Sequence, residues 1–217
     1  VPAGDAVSTP ILYRLSWWAF EILFRLLRVR RRVEGREHEP APPYLIVANH
    51  ASEADIPLVG LSLRARVSFM AKEELRRLPP VAWWVRGCGS FFVRRGTADR
   101  EAVREALRML RRGWAVCLFA EGTRSRDGRL GPFEEGAAYL ALKAAVPVLP
   151  VGIVGSHRVR VSGWRLPSRA DVAVRLGPPL RPRVEGTVSR EAVAEWTARL
   201  REAVRVLLPP DQQPSQS

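Results

Sequence analysis

The chain is predicted to be an α/β protein, a mostly parallel central sheet flanked by helices, with an amphipathic helix ahead of it. Three observations carry this. Short β-like runs recur at residues 44–48, 67–71, 90–93, 115–119, 148–154 and 170–176. Helical patterns separate several of them, and such alternation builds a parallel sheet covered on both faces. In front of these runs stands "ILYRLSWWAFEILFRLLRVRRR", apolar around most of its circumference and charged along one line.

Taken in order, this N-terminal segment comes first. At about 100° per residue, Arg14, Glu21, Arg25, Arg28 and Arg32 share one stripe, while Trp17, Trp18, Phe20, Leu23, Phe24 and Leu27 occupy the rest. A spanning helix needs ~20 mostly apolar residues, and this segment is too short and too regularly charged. Two readings are open: a membrane-interface helix with its broad face in lipid, and an amphipathic helix packed on its own domain. The adjacent tryptophans and the basic cluster favour the interface. Residues 1–32 are therefore assigned to a membrane-associated helical segment, 33–208 to the α/β domain, and 209–217, "PPDQQPSQS", to a disordered tail.

Within the α/β region the clearest helix is "TADREAVREALRMLRRG". Val103, Ala106, Leu107 and Leu110 form its apolar stripe, Thr97 or Asp99 can cap its start, and Gly113 suits its stop. A second helix covers about 136–144. A third, over about 189–208, carries Val193, Trp196, Leu200 and Val204 on one face. Pro147 and Pro150 bracket the β run between them and predict an edge strand or a rigid wall.

Composition narrows the partners. The 217 residues suit one domain, and a hydrophobic content of 47% suffices for a core. The formal net charge of +13 favours an anionic partner: nucleic acid, an anionic membrane or a phosphorylated substrate. No nucleic-acid motif and no paired aromatic–basic strand is recognisable, so no nucleic acid is expected. Cys88 and Cys117 form no C-x-x-C pair and read as free core thiols of a reducing compartment, not as a zinc site. No signal peptide is evident. His38 and His157 read as surface residues.

Three loops carry candidate chemistry. His50 directly follows the run at 44–48, and functional loops of open α/β sheets lie beyond the carboxyl ends of strands. Pro57 disfavours helical geometry at Ile56, so the link from His50 to Asp55 is expected to be a turn that folds Asp55 onto the imidazole. A carboxylate on one ring nitrogen fixes the tautomer and leaves the other nitrogen to take a proton. The competing reading makes Asp55 a helix cap and His50 an incidental loop residue. In "GCGSFFVRRG" an aromatic strand ends in Arg94 and Arg95, which point opposite ways, so one can enter a site. In "LFAEGTRSRDGR" a buried strand ends in Glu121, Gly122, Thr123 and Arg124. Gly122 permits a tight turn, and the Thr123 hydroxyl, backbone N–H groups and a guanidinium suit a phosphate monoester. The bland alternative is a basic surface loop. All three loops follow apolar strands and converge on one edge of the sheet.

The order and spacing of these stretches resemble the glycerophospholipid acyltransferases, above all the 1-acyl-glycerol-3-phosphate acyltransferases. That family carries N-H-x-x-x-x-D, G-x-x-F-x-x-R, F-P-E-G-T-R-S and V-P-x-x-P. The chain shows Asn49-His50 to Asp55; Gly89, Phe92 and Arg95; Phe119 to Ser125; and Val146 to Pro150, in that order. It departs twice: Ala120 replaces the usual proline, and Glu134 replaces the usual lysine of "PFKxGA". The resemblance implies that His50 deprotonates a lysophospholipid hydroxyl while Asp55 holds the imidazole. The co-substrate is acyl-CoA or acyl carrier protein, with no acyl-enzyme, metal or other cofactor. It further implies that Arg95, Glu121, Gly122, Thr123 and Arg124 bind the glycerol phosphate, at the cytoplasmic face of the cell membrane, on a peripheral or monotopic protein against an anionic surface. Glu134 keeps another acceptor open, such as a lyso-ornithine lipid or a lysophospholipid with a larger head group.

Overall fold

Buried parallel strands must be apolar on both faces, and the strands at the middle of this protein are. In the computed structural model, which describes residues 11–93, 100–125, 127–159, 170–182 and 187–214, every residue of β2 (Leu45–Ala48) is buried. Its side chains alternate between two cores. Leu45 and Val47 face one with Ala138, Leu140, Trp196 and Leu200, while Ile46 and Ala48 face the other with Leu58, Val59 and Phe24. The same alternation runs through β5 (Ala115–Phe119), where Val116 and Leu118 face the first core and Ala115 and Cys117 the second.

The remaining strands are β1 (Val29–Glu34), β3 (Val67–Lys72), β4 (Phe91–Val93), β6 (Val148–Val154) and β7 (Ala170–Leu176). They complete a seven-stranded sheet in the order β1-β7-β6-β2-β5-β3-β4. Every pairing is parallel except β6 with β7. The helices are α1 (Ile11–Leu26), α2 (Asp55–Gly60), α3 (Pro79–Gly87), α4 (Arg100–Arg111), α5 (Glu135–Ala144) and α6 (Arg190–Arg205). Ser189 caps α6 by accepting the Ala192 N–H at 3.2 Å. The predicted caps of α4, Thr97 and Asp99, lie outside the described residues.

Four expectations are corrected. First, the N-terminal helix does not reach Arg32. It ends at Leu26, Arg28 takes a positive φ of 53°, and Val29–Glu34 pairs with β7 from Val29↔Ala170 to Glu34↔Arg175. A boundary at residue 32 therefore cuts a strand; β1 is an edge strand whose arginines blunt its free side, and its charge masked its alternation. Second, Ile56 and Pro57 are helical. Pro57 stands in the first turn of α2, where its missing N–H breaks no helical bond. Third, β6 lies between β2 and β7 rather than at an edge. Pro150 is tolerated because its carbonyl accepts the Gly177 N–H, which puts its ring nitrogen opposite chain that has already left β7. Fourth, the tail is docked as far as Gln212, which is only 2% exposed. Its side chain accepts the Gly155 N–H at 3.0 Å and donates to the Gly128 carbonyl at 3.2 Å.

α1 packs on its own domain along one face and leaves the other face open. One face is core: the Tyr13 hydroxyl accepts the Val67 N–H at 2.9 Å, and Trp17 packs so closely on Gly60 that a Cβ there would sit 2.4 Å from the ring. The opposite face stays apolar and open, with Ile11, Leu15, Trp18, Ile22 and Leu26 all exposed. Beside it an apolar hollow of about 370 Å³ is lined by Leu12, Leu15, Ala19, Phe20, Leu23 and Trp84. No helix among the described residues is long and apolar enough to cross a membrane.

Candidate active site

The site lies at the carboxyl ends of β2 and β5, and Asn49 sets it. Where β2 ends, the Asn49 amide continues the ladder to β6: Oδ1 accepts the Ile153 N–H at 2.7 Å and Nδ2 donates to the Ile153 carbonyl at 3.0 Å. With that side chain spent on backbone, the next residue turns out of the sheet. His50 is 5% exposed and lies flat on Phe119, with ring centroids 4.1 Å apart and planes 16° from parallel.

The expected contact is present. His50 Nδ1 lies 2.8 Å from Asp55 Oδ2, and Asp55 is fully buried at the start of α2. The same oxygen accepts the N–H groups of Ala51 at 2.7 Å and Ser52 at 2.8 Å. Three donors on one oxygen fix the carboxylate, the turn and the ring together. Ser52 in turn donates its hydroxyl to the Val159 carbonyl at 2.8 Å. An imidazole held this way at Nδ1 can accept a proton at Nε2, and the carboxylate stabilises the imidazolium that results.

The loop after β5 closes around the backbone of His50. The His50 N–H donates to Glu121 Oε1 at 2.8 Å, and the His50 carbonyl accepts the Ser125 N–H at 2.7 Å. Glu121 Oε2 accepts the Gly131 N–H at 2.9 Å. Glu121 is therefore not positioned as a direct ligand of a phosphate, which corrects the sequence expectation. It is 8% exposed with both oxygens committed to backbone, and it clamps one stretch of loop to another. Burial pushes its carboxyl above the ordinary range, against the pull of those two N–H groups.

The rest of the loop is open. Gly122 turns with φ of 65°, and its α-carbon is so close to the Glu134 side chain that a Cβ would lie 3.0 Å from Cγ. Thr123 is exposed. Arg124 Nη1 pairs with Glu53 Oε1, both side chains standing about half in solvent. Arg95, the remaining expected ligand, lies outside the described residues. Glu53 escaped the sequence reading, since it meets Arg124 only through the fold, and Phe119, quoted there only as the first residue of its motif, is the ring on which His50 stacks. Of the two histidines read as surface residues, His38 holds the Leu176 carbonyl at 2.8 Å, and His157 has its Nδ1 buried against Gly128. Cys88 and Cys117 are free and buried as expected; burial, reinforced by the Asp55 carboxylate, pushes the Cys117 thiol far up. No group of His, Cys, Asp and Glu among the described residues could hold a metal ion.

A mostly parallel α/β sheet with a buried His–Asp pair at its carboxyl edge defines a class that comparison with known proteins makes specific. Residues 30–154 match the family model described as Acyltransferase, and the chain belongs to that family. Its sequence is 36% identical over 154 residues to the lyso-ornithine lipid O-acyltransferase of Pseudomonas aeruginosa, covering 70% of this chain and 57% of that protein. It is 26% identical over 193 residues to a 1-acyl-sn-glycerol-3-phosphate acyltransferase of Saccharomyces cerevisiae, covering 84% and 61%. Among solved structures it resembles the 1-acyl-sn-glycerophosphate acyltransferase of Thermotoga maritima, with a TM-score of 0.71 and 33% identity over 90% of this chain and 79% of that one. The chain spans about half the length of the curated relatives it matches.

Proposed function

We propose that the protein transfers a fatty acyl group from acyl-CoA or acyl carrier protein to the free glycerol hydroxyl of 1-acyl-glycerol-3-phosphate, giving phosphatidic acid. The observation that carries this reading is the His50–Asp55 pair, buried yet with Nε2 turned away from its carboxylate. His50 Nε2 takes the hydroxyl proton as the oxygen attacks the thioester carbonyl carbon. The C–S bond then breaks, and the departing thiolate recovers that proton from the imidazolium. Asp55 balances the imidazolium charge throughout. The open Gly122–Thr123–Arg124 loop receives the acceptor's phosphate, together with Arg95. Because the Arg124–Glu53 pair is exposed, its loss costs only about 0–1 kcal/mol, and an incoming phosphate can replace Glu53. The outward apolar face of α1 holds this edge against the cytoplasmic surface of the membrane as a peripheral contact.

One observation favours a second acceptor. Two carboxylates, Glu53 and Glu134, border the loop meant for phosphate, and Arg124 is already paired. A head group carrying a cation beside its anion suits that balance, as in a lyso-ornithine lipid, the acceptor named for the Pseudomonas relative. Thiol release measured with one acyl-CoA against lysophosphatidic acid, lyso-ornithine lipid and larger lysophospholipids decides between them. Arg124→Ala should raise the acceptor KM and leave the donor KM near wild type. Absence of release with every acceptor would refute acyl transfer itself.

A further inference from the structure

Beside α1 lies a corner that neither the chemistry nor the core explains. β3 runs parallel to β5 and β5 to β2, so the chain leaving Lys72 emerges at the same edge as His50. It makes a 3-10 turn over Glu73–Arg77 and enters α3. Leu78 is 52% exposed and Trp83 67%, although the neighbouring Ala82 and Val85 are buried. Residues of this size left in water next to a buried stripe mark an interaction surface. At Trp83 is a hollow of about 560 Å³ lined by Arg76, Pro79, Ala82, Trp83, Arg86 and Gly87.

The charge of that hollow defines its occupant. Arg76 and Arg86 both lie over the buried Phe92, with guanidinium carbons 5.3 and 5.9 Å from the ring centroid. Arg76 is partly offset by Glu73 at 3.1 Å, and Arg86 has no ion-pair partner among the described residues. Two guanidinium groups lining one hollow beside Pro79, Ala82 and Trp83 match a phosphate ester attached to hydrocarbon. The hollow also borders α1 directly: Gly87 lines it, and Leu12 packs where a Cβ of Gly87 would be, 2.3 Å away. Trp84, next to Trp83, donates its indole N–H to Ser16 of α1 at 2.7 Å. The outward faces of α1 and α3 are thus one surface.

We propose that this corner is a second bilayer contact, in which the hollow between Arg76 and Arg86 takes the head-group phosphate of an anionic phospholipid while Trp83 and Leu78 enter the interface beside α1. The proposal rests on the reading of α1 as an interface helix. It gives the membrane two adjoining supports, so the tilt of the protein on the bilayer is set as well as its distance.

The test is co-sedimentation with vesicles of phosphatidylcholine alone and of phosphatidylcholine with phosphatidylglycerol. A basic residue near an anionic surface contributes about 1 kcal/mol, so Arg76→Gln with Arg86→Gln should weaken binding to the anionic vesicles by roughly 30-fold. Binding to the neutral vesicles and activity on detergent-dispersed substrate should stay at wild-type levels. Trp83→Phe, which keeps an aromatic ring in place, should remove part of the tryptophan quenching caused by brominated lipid. Unchanged anionic binding in the arginine variant, or unchanged quenching in Trp83→Phe, overturns the proposal. So does a rise in the KM of the soluble acyl thioester, which would assign the hollow to the donor. Should the wild type bind neither vesicle, the interface reading of α1 falls first and takes this one with it, while thiol release in detergent would still report the chemistry.

Discussion

Asp55→Asn separates what the carboxylate does for the fold from what it does for the ring. In the protein Asp55 Oδ2 accepts three hydrogen bonds, and its buried Oδ1 has no partner among the described residues. Only the carbonyl oxygen of asparagine can take the crowded position, so its amide nitrogen must occupy the other. That leaves a buried donor unsatisfied and costs about 1–3 kcal/mol of stability. The imidazole keeps its orientation and loses the charge opposite. At the observed 2.8 Å, unit charges attract by about 6 kcal/mol at an effective dielectric constant near 20. The retained neutral hydrogen bond and the surviving base offset part of this, so kcat should fall by less than the roughly 10²–10⁴-fold that general-base catalysis contributes in full. The acceptor KM should barely move, since Asp55 is fully buried. His50→Ala removes the base and should lose more. Asp55→Ala is the poorer probe, because it also strands the N–H groups of Ala51 and Ser52. Thiol-release kinetics with thermal unfolding of each variant make the measurement. Wild-type kcat in folded Asp55→Asn, or full activity in His50→Ala, would end the mechanism.

Glu121→Gln offers one acceptor where the N–H groups of His50 and Gly131 converge, so stability should drop by about 1–3 kcal/mol and kcat should fall as His50 loosens. Because burial raises the Glu121 carboxyl above its ordinary 4.5, the native state binds that proton more readily than the unfolded chain. Its contribution is then fullest below that value and is lost as pH rises through the raised one. The wild type's margin over Glu121→Gln in thermal unfolding should therefore shrink with rising pH across that window, and a margin that widens would contradict the burial argument. Gln212→Ala should destabilise by about 1–3 kcal/mol through the Gly155 N–H it leaves unpaired, readable in urea unfolding. Leu15→Glu with Trp18→Glu should release the protein from vesicles yet preserve its unfolding temperature and its activity in detergent, since both side chains are exposed.

What was legible in the sequence was what burial or proximity along the chain dictates. β5 and β6 end where their apolar runs end, because a strand covered on both faces has no polar positions to blur its limits. The His50–Asp55 pair was legible because five residues suffice to fold one onto the other. β1 was not, since "VRRRVE" earns its place by pairing with β7, more than a hundred residues away. α3 was missed because its apolar residues divide between the core, α1 and the exterior. Glu121 looked like a ligand because the motif names it beside Thr123 and Arg124; its backbone partners, at positions 50 and 131, exist only in the fold. Gln212 sits in a polar tail whose composition says disorder, and the backbone of Gly128, Leu130 and Gly155 holds it.

The two faces of α1 change what a domain boundary means in this protein. A detachable anchor would leave the α/β unit intact when removed. Here the Tyr13 hydroxyl satisfies the N–H at the first residue of β3, and its ring meets Trp114 edge-on at 5.6 Å. Deleting the helix would expose that N–H, open the face of Gly60 and strip Trp84 of its Ser16 partner. The inner face therefore belongs to the fold, and only the outer face is free to evolve toward a surface. This coupling also carries position. α1 runs into β1, β1 pairs with β7, and β7 pairs with β6, whose Ile153 holds Asn49 directly before His50. A bilayer that fixes the outer face of α1 thereby fixes the histidine through backbone ladders rather than through a flexible link.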